Sequence, residues 1–251
     1  MTTNAYYDPG PERAAKVNRL FLSIARRYDR LNDLQSFGLH RCWKRRVAEL
    51  AGIAPGQTAL DLCCGTGDLA FVLAARGAEV TALDASEGML EVASERLRRW
   101  TAPAGSGRVR FVRGDAQQPD FPSGSFDAVT VGYGLRNLES WETGLREMVR
   151  VAKPGGRVVV LDFGKPPNAA WRALYFTYLR MVVPVLGLLF SGDAGAYAYI
   201  LESLRYYPAQ EVVAARMGEL GLVDVGLVNF VGGAMSIQYG RRDPRVLKNG
   251  R

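Results

Sequence analysis

The chain has 251 residues, 48% hydrophobic and 23% charged, enough for one large α/β domain with a full core and typical of a soluble globular protein. Its net charge of +7, from 32 Lys and Arg against 25 Asp and Glu, favours an anionic partner surface. No aromatic-interleaved basic stretch suited to gripping single strands is present, so anionic lipid is expected rather than nucleic acid. Cys42 and the adjacent Cys63-Cys64 exclude a disulfide framework and a C-x-x-C metal site, and they fit a reducing compartment.

Residues 1–15 are polar, contain Pro9, Gly10 and Pro11, and read as a loosely held arm without the apolar h-region of a signal peptide. A cytoplasmic location is expected. From Arg13 to Tyr28 apolar residues recur at helical spacing. Tyr28 to Lys44 (Y-D-R-L-N-D-L-Q-S-F-G-L-H-R-C-W-K) is dense in polar and aromatic types, and a second amphipathic helix spans about Leu39–Ala51. Strands are expected at Ala59–Cys63, Glu79–Asp84, Val109–Arg113, Phe126–Val131 and Arg157–Phe163. Helices Asp68–Arg76, Glu87–Trp100 and Trp141–Val151 fall between them, and Lys153-Pro154-Gly155-Gly156 reads as the turn before the fifth strand. This alternation predicts a doubly wound, mostly parallel sheet covered on both faces. Pro166–Tyr207 is largely helical. Its apolar run Leu174–Phe190 contains Arg180 and Pro184, is short for a bilayer span, and reads as a buried or membrane-facing lid helix. A helix at Ala209–Leu220 and an antiparallel hairpin over Val223–Phe230 and Met235–Gly240 close the pattern. The division is therefore one domain, 1–251: a helical cap (1–55), a cofactor-binding core (56–165), a helical lid (166–208), and a final helix and hairpin (209–241).

The stretch Ala59–Ala70, A-L-D-L-C-C-G-T-G-D-L-A, is a strand, a glycine turn and a helix N-terminus, which together present backbone N–H groups and a helix dipole to a nucleotide-like ligand. Gly65 and Gly67 let the main chain approach such a ligand closely. Asp84, about 20 residues beyond, is placed to accept hydrogen bonds from a ribose. Gly65-x-Gly67-x-x-Ala70 also fits a dinucleotide fingerprint. Three features favour S-adenosylmethionine instead. Asp61 lies inside strand one, useful beside a cationic ammonium and sulfonium but not beside a pyrophosphate. Gly114-Asp115-Ala116 at the end of strand three can offer a carboxylate and backbone to an adenine amine. The antiparallel hairpin at the end matches the methyltransferase variant of the sheet. Each acid alone can equally be a strand-end cap.

Two longer segments, Tyr28–Lys44 and R-V-A-K-P-G-G-R-V-V-V-L-D-F (150–163), closely resemble the two signatures of the menaquinone/ubiquinone biosynthesis C-methyltransferases. F-D-A-V-T-V-G-Y-G-L-R-N (126–137) is similar to that family's motif after strand four. The resemblance runs from about Lys16 to Gly240. It implies the class I S-adenosylmethionine-dependent methyltransferase fold, Rossmann-like with N-terminal helices and a helical lid. It also implies methylation of a ring carbon of a polyprenyl hydroquinone, demethylmenaquinol to menaquinol or the equivalent methoxy-polyprenyl-benzoquinol step. The family's cofactor contacts carry over onto Thr66, Asp84, Asp115 and Ala116. A further contact, commonly Ser, falls on Gly132, which can offer only backbone. Asp162 stands where the family commonly has Glu, and Leu31 where it commonly has Met.

The chemistry needs one phenolic proton removed or polarised so that the ortho carbon becomes nucleophilic. Arg136 and Asn137, after strand four, are the candidates: Arg136 to hold a water or stabilise the phenolate, Asn137 to orient the oxygen or that water. Tyr28 can complete the network. The alternatives are an ion pair for Arg136 and a helix cap for Asn137. The single histidine, His40, lies in the first signature and can equally be a structural hydrogen-bonder. Phe176, Tyr178, Met181 and Phe190 are expected to wall a prenyl channel, the alternative being that they pack as core against the sheet. Arg41, Lys44, Arg45 and Arg46 are positioned to steer the chain peripherally to the inner face of an anionic membrane, or simply to form a solvated face. A homo-oligomer is compatible with the sequence. Rival readings are a methyltransferase for another lipidic or phenolic acceptor, and a non-catalytic cofactor-binding assembly subunit.

Overall fold

The computed structural model describes residues 13–191 and 195–245; the rest of the expected N-terminal arm and of the basic tail lies outside them. Three helices come first: α1 (Arg13–Ile24), α2 (Tyr28–Ser36) and α3 (His40–Ala51), with a single 3-10 turn at Ala25–Arg27 between the first two. The expected first helix is thus broken just before Tyr28, and the polar-aromatic signature forms a helix of its own. α2 ends at Phe37, whose φ of 51° is left-handed, and α3 ends at Gly52, φ 57°.

The core then alternates β1 (Thr58–Leu62), α4 (Asp68–Ala74), β2 (Glu79–Asp84), α5 (Glu87–Arg99), β3 (Val109–Arg113), β4 (Phe126–Gly132), α6 (Trp141–Val151) and β5 (Ala152–Phe163). β5 starts five residues earlier than expected. Ala152 pairs with Phe126, the next registered pair is Ala128 with Arg157, and Lys153–Gly156 is accommodated as a bulge with Gly155 at φ 80°. The lid is α7 (Ala169–Ser191) and α8 (Gly195–Tyr206), followed by α9 (Gln210–Glu219), β6 (Leu222–Phe230) and β7 (Met235–Arg242).

The seven strands lie in the order β3-β2-β1-β4-β5-β7-β6, with β7 antiparallel to both neighbours and the others parallel. Alternate residues of each strand serve opposite faces. Ala59, Val80, Ala128, Val159 and Ile237 pack with α3 and α4. Leu60, Leu62, Val129, Val131 and Val158 pack with α6 and α9. A third cluster joins Leu20 and Ile24 of α1 to Met89 of α5, Tyr175 and Leu179 of α7, and Tyr199 and Leu204 of α8. These helices roof the carboxyl edge of the sheet. The strand order reverses between β1 and β4, the place where open α/β sheets open a crevice for a ligand.

Candidate active site

At that crevice β1 leaves the sheet through Cys63 (φ 52°) and Gly65 (φ 55°), and Gly67 (φ 88°) leads into α4. A Cβ on Gly67 would lie 2.9 Å from the Phe111 ring, so this glycine admits a neighbouring side chain. A Cβ on Gly65 would meet only Tyr28, at 3.9 Å. Asp84 closes the turn from β2. One of its oxygens accepts from Gly65 N at 2.7 Å and the other from Ser86 N at 2.8 Å. Burial raises its carboxyl above the ordinary value, against these amide bonds.

A cavity of about 340 Å³ opens here, bordered by Gly65, Asp84, Asp115, Ala116, Gly132 and Asn137, with Leu83, Met89 and Leu138 as apolar walls. Asp115 is itself held by Gln117 N at 2.8 Å. Thr66 and Gly67 are not among the lining residues, nor is Asp61. Thr66 turns away and donates to Asp29 at 2.6 Å. Asp61 sits inside the sheet, accepting from Thr130 Oγ1 at 2.8 Å, while its Oδ2 is buried without a partner. Burial, opposed by Thr130, pushes its pKa up to about 7. One residue that the sequence does not single out, Ser86, joins the expected Asn137 on the cavity's border, and Ser86 Oγ and Asn137 Oδ1 are both buried without a partner. The only signal for Ser86 was its place two residues after the strand-end acid.

A second cavity, about 400 Å³ and mostly apolar, lies under the lid between α2, α3, α7 and α8. Trp43, Phe163, Trp171, Tyr175, Leu179 and Val183 are among its walls. Of the expected channel residues, Tyr178 lines it, Phe176 packs beside it against Tyr175, and Met181 points outward. The side chain of Phe190 lies outside the described residues. Tyr28 and Tyr133 border both cavities.

Arg136 and Asn137 are consecutive but face different cavities: Arg136 the apolar one, Asn137 the one at the glycine turn. The Arg136 guanidinium donates to Asp162 at 2.5 Å, to Tyr133 O at 2.7 Å and to Tyr199 Oη at 3.1 Å, with its Nε buried and unpartnered. Asp162 also accepts from Arg136 N at 3.2 Å. The alternative of an ion pair is therefore realised, inside the cavity wall. Asn137 does not cap the next helix; Ser140 does, accepting from Thr143 N. Asn137 donates instead to Tyr133 O at 3.1 Å. Burial and the nearby Tyr199 push the Tyr28 hydroxyl well above its ordinary value.

The first signature also ties α2 to the glycine turn. Arg96 donates to Thr66 Oγ1 at 2.9 Å and pairs with Asp29 at 2.9 Å and Asp68 at 2.5 Å; Lys44 pairs with Asp68 at 2.7 Å. Burial would push the Asp68 carboxyl up, but Lys44 and Arg96 outweigh it and hold it well below the usual range. Lys44 is buried and committed to this pair, which removes it from the basic face expected for membrane steering. Arg41 and Arg46 are exposed and paired with Asp33 and Glu49. His40 is buried, with Nε2 2.8 Å from Asp33 and Nδ1 3.9 Å from Asp68; burial lowers its pKa.

A model of the ubiE/COQ5 methyltransferase family matches residues 11–242. The ubiquinone/menaquinone biosynthesis C-methyltransferase UbiE of Ectopseudomonas mendocina (strain ymp) is 42% identical over 236 residues, 92% of this chain and 91% of its own length. The demethylmenaquinone methyltransferase of Desulfitobacterium hafniense (strain Y51) is 40% identical over 239 residues, 93% of this chain and 92% of its own. In fold, the chain is similar to magnesium protoporphyrin IX methyltransferase from Synechocystis PCC 6803, solved with bound SAM. The TM-score is 0.63 at 20% identity, covering 96% of this chain and 100% of that one.

Proposed function

The chain belongs to the ubiE/COQ5 methyltransferase family, and from that premise we propose that it methylates a ring carbon of a polyprenyl hydroquinone, converting demethylmenaquinol to menaquinol. The observation that carries this reading is the pair of cavities sharing Tyr28 and Tyr133, one polar-edged at the glycine turn and one apolar under the lid. Such a pair suits a nucleoside methyl donor on one side and a prenylated ring on the other.

The residues of the first cavity fit S-adenosylmethionine, the methyl donor of this chemistry. Asp84 would hold the ribose, and the unpartnered Ser86 Oγ and Asn137 Oδ1 supply the polar contacts such a ligand needs. Leu83, Met89 and Leu138 supply apolar surface for its adenine. When bound, S-adenosylmethionine supplies a methyl group already activated on a sulfonium, so most of the protein's work is placement.

The chain's remaining task is to make the ring carbon nucleophilic by favouring ionisation of the adjacent hydroxyl. Arg136 keeps its charge and presents an unpartnered Nε within the cavity wall, which suits it to stabilise a forming phenolate. Tyr28, with its hydroxyl pushed up by burial, stays protonated and acts as a donor to the same oxygen. Neither group accepts the proton at neutral pH; it leaves to bulk solvent, with a water held at Arg136 on the apolar-cavity side as its first carrier. The prenyl tail follows the apolar wall of α7 toward the cavity mouth, where Phe37, Leu39, Leu174 and Val231 are exposed. That rim supports peripheral contact with the inner face of a membrane. No helix among the described residues is long and apolar enough to cross one.

The test is methyl transfer from labelled S-adenosylmethionine to reduced demethylmenaquinol and, in parallel, to the methoxy-polyprenyl-benzoquinol, with the oxidised quinones as controls. Label in the naphthoquinol is expected. Label in both quinols makes the enzyme serve two pathways, and cofactor binding without transfer to either overturns the reading.

A further inference from the structure

Tyr133 is the residue on which the two cavities and both polar candidates converge, yet neither the glycine turn nor the strand-end acids point to it. It leaves β4 between Gly132 and Gly134 with φ 63°, a left-handed conformation that is strained for a bulky aromatic residue. Its surroundings hold it there. Tyr133 N donates to Leu161 O at 2.7 Å, and its carbonyl accepts from both the Arg136 guanidinium (2.7 Å) and the Asn137 carboxamide (3.1 Å). Gly134 follows of necessity, since a Cβ there would fall 2.4 Å from that of Cys63. The ring packs on Phe163 with centroids 5.6 Å apart, and the Lys44 ammonium lies 5.8 Å from its centre. Despite all this fixation, the hydroxyl is buried and has no hydrogen-bond partner.

Leaving a buried hydroxyl unpaired costs about 1–3 kcal/mol, and a strained backbone adds to that cost. Such features persist together where a ligand completes them. With Tyr28, this ring borders both cavities. A group passing from one ligand to the other passes beside it.

Resting on the proposed function, we infer that Tyr133 is a catalytic hydrogen-bond donor: its hydroxyl takes the ionising ring oxygen of the acceptor as the partner it lacks in the free protein. Burial pushes this phenol well above its ordinary value, so it remains a donor through the neutral range. The hydrogen bond moves no electrons and leaves the methyl balance unchanged. It lowers the cost of the phenolate at the point where the two cavities meet.

The test is Tyr133→Phe in the full-length protein, which keeps the ring and removes the unpaired oxygen. Four readouts are compared with wild type: kcat/KM for the quinol, its pH profile, Kd for S-adenosylmethionine, and thermal stability without ligands. A loss of about 10- to 100-fold in kcat/KM is expected, the worth of one hydrogen bond to a charged oxygen. The rising limb of the pH profile should move to higher pH, the cofactor Kd should stay within about twofold by the same accounting, and Tm should hold or rise because no native bond is lost. A purely structural tyrosine would instead lower Tm and leave the pH limb in place. Either that result or unchanged kcat/KM overturns the inference. Should wild type methylate no quinol, the proposed function fails separately. Binding of a short-chain naphthohydroquinone then decides: equal affinity for wild type and Tyr133→Phe refutes the hydroxyl contact, weaker binding by the variant supports it.

Discussion

Asp162→Asn probes the Arg136 wall of the apolar cavity. The side chains of Arg136 and Asp162 are 3% and 1% exposed, and Asp162 accepts both the guanidinium and the main-chain N–H of Arg136. With the carboxylate replaced by a carboxamide, the guanidinium keeps only neutral acceptors, Tyr133 O, Tyr199 Oη and the new amide oxygen, and no opposite charge faces it. Removing one member of a buried pair costs about 3–5 kcal/mol. In a chain of this size that corresponds to a fall in Tm of about 6–20 °C. Urea unfolding measures it directly, as a lower midpoint at constant m. The double variant Arg136→Met/Asp162→Leu separates the pair from its packing. Because burying two charges is itself expensive, the double variant should recover most of the loss while transferring no methyl. A single-variant loss under about 1 kcal/mol, or a double variant as unstable as the sum of the singles, refutes the reasoning.

Asp84→Ala should weaken S-adenosylmethionine binding by about 10- to 100-fold in calorimetry, through lost bonds to a carboxylate, and leave binding of a tail-bearing quinol analogue unchanged. Asp61 is raised from 3.8 to about 7, so its stability contribution is full below the unfolded value and lost as pH rises through 7. Asp61→Asn should therefore be more stable than wild type at pH 8 and lose that advantage near pH 4; the reverse order would contradict the burial of this carboxyl. His40 is shifted down from 6.5, so its contribution is present above that pH and lost as pH falls below it. Between pH 7 and 5 wild type should lose stability faster than His40→Gln, by at most about 1.4 kcal/mol per pH unit. Phe37→Ser removes a ring 82% exposed at the cavity mouth. It should change stability by no more than about 0.5 kcal/mol but reduce sedimentation with anionic lipid vesicles, whereas unchanged sedimentation would dismiss the rim as a membrane contact.

The core of this protein is legible in its sequence because each strand and helix announces itself locally. The runs expected as strands at Glu79–Asp84 and Val109–Arg113 became strands with those bounds, and the glycine turn and Asp84 lie at the crevice the strand–helix alternation implies. Such patterns report what neighbours along the chain require. They do not report which way a turn residue faces, since that depends on backbone angles set by distant packing. Thr66 looks like a cofactor contact in the linear motif, but Asp29, from a helix 37 positions earlier, draws its hydroxyl away. Lys44 reads as part of a basic surface, yet Asp68 buries it. Arg136 and Asn137 look like one catalytic pair; a single turn after β4 sends them into different cavities and hands both to the carbonyl of Tyr133. Tyr133 itself carries no local signal beyond two flanking glycines. The place of β7 between β5 and β6, and the closure of α2, α7 and α8 over the sheet edge, arise from contacts between segments far apart in the chain. Composition and periodicity determined the elements and the nucleotide-binding edge. Only long-range packing decided which side chains meet there, because a hydrogen bond or ion pair between distant segments exists only once the chain has brought them together.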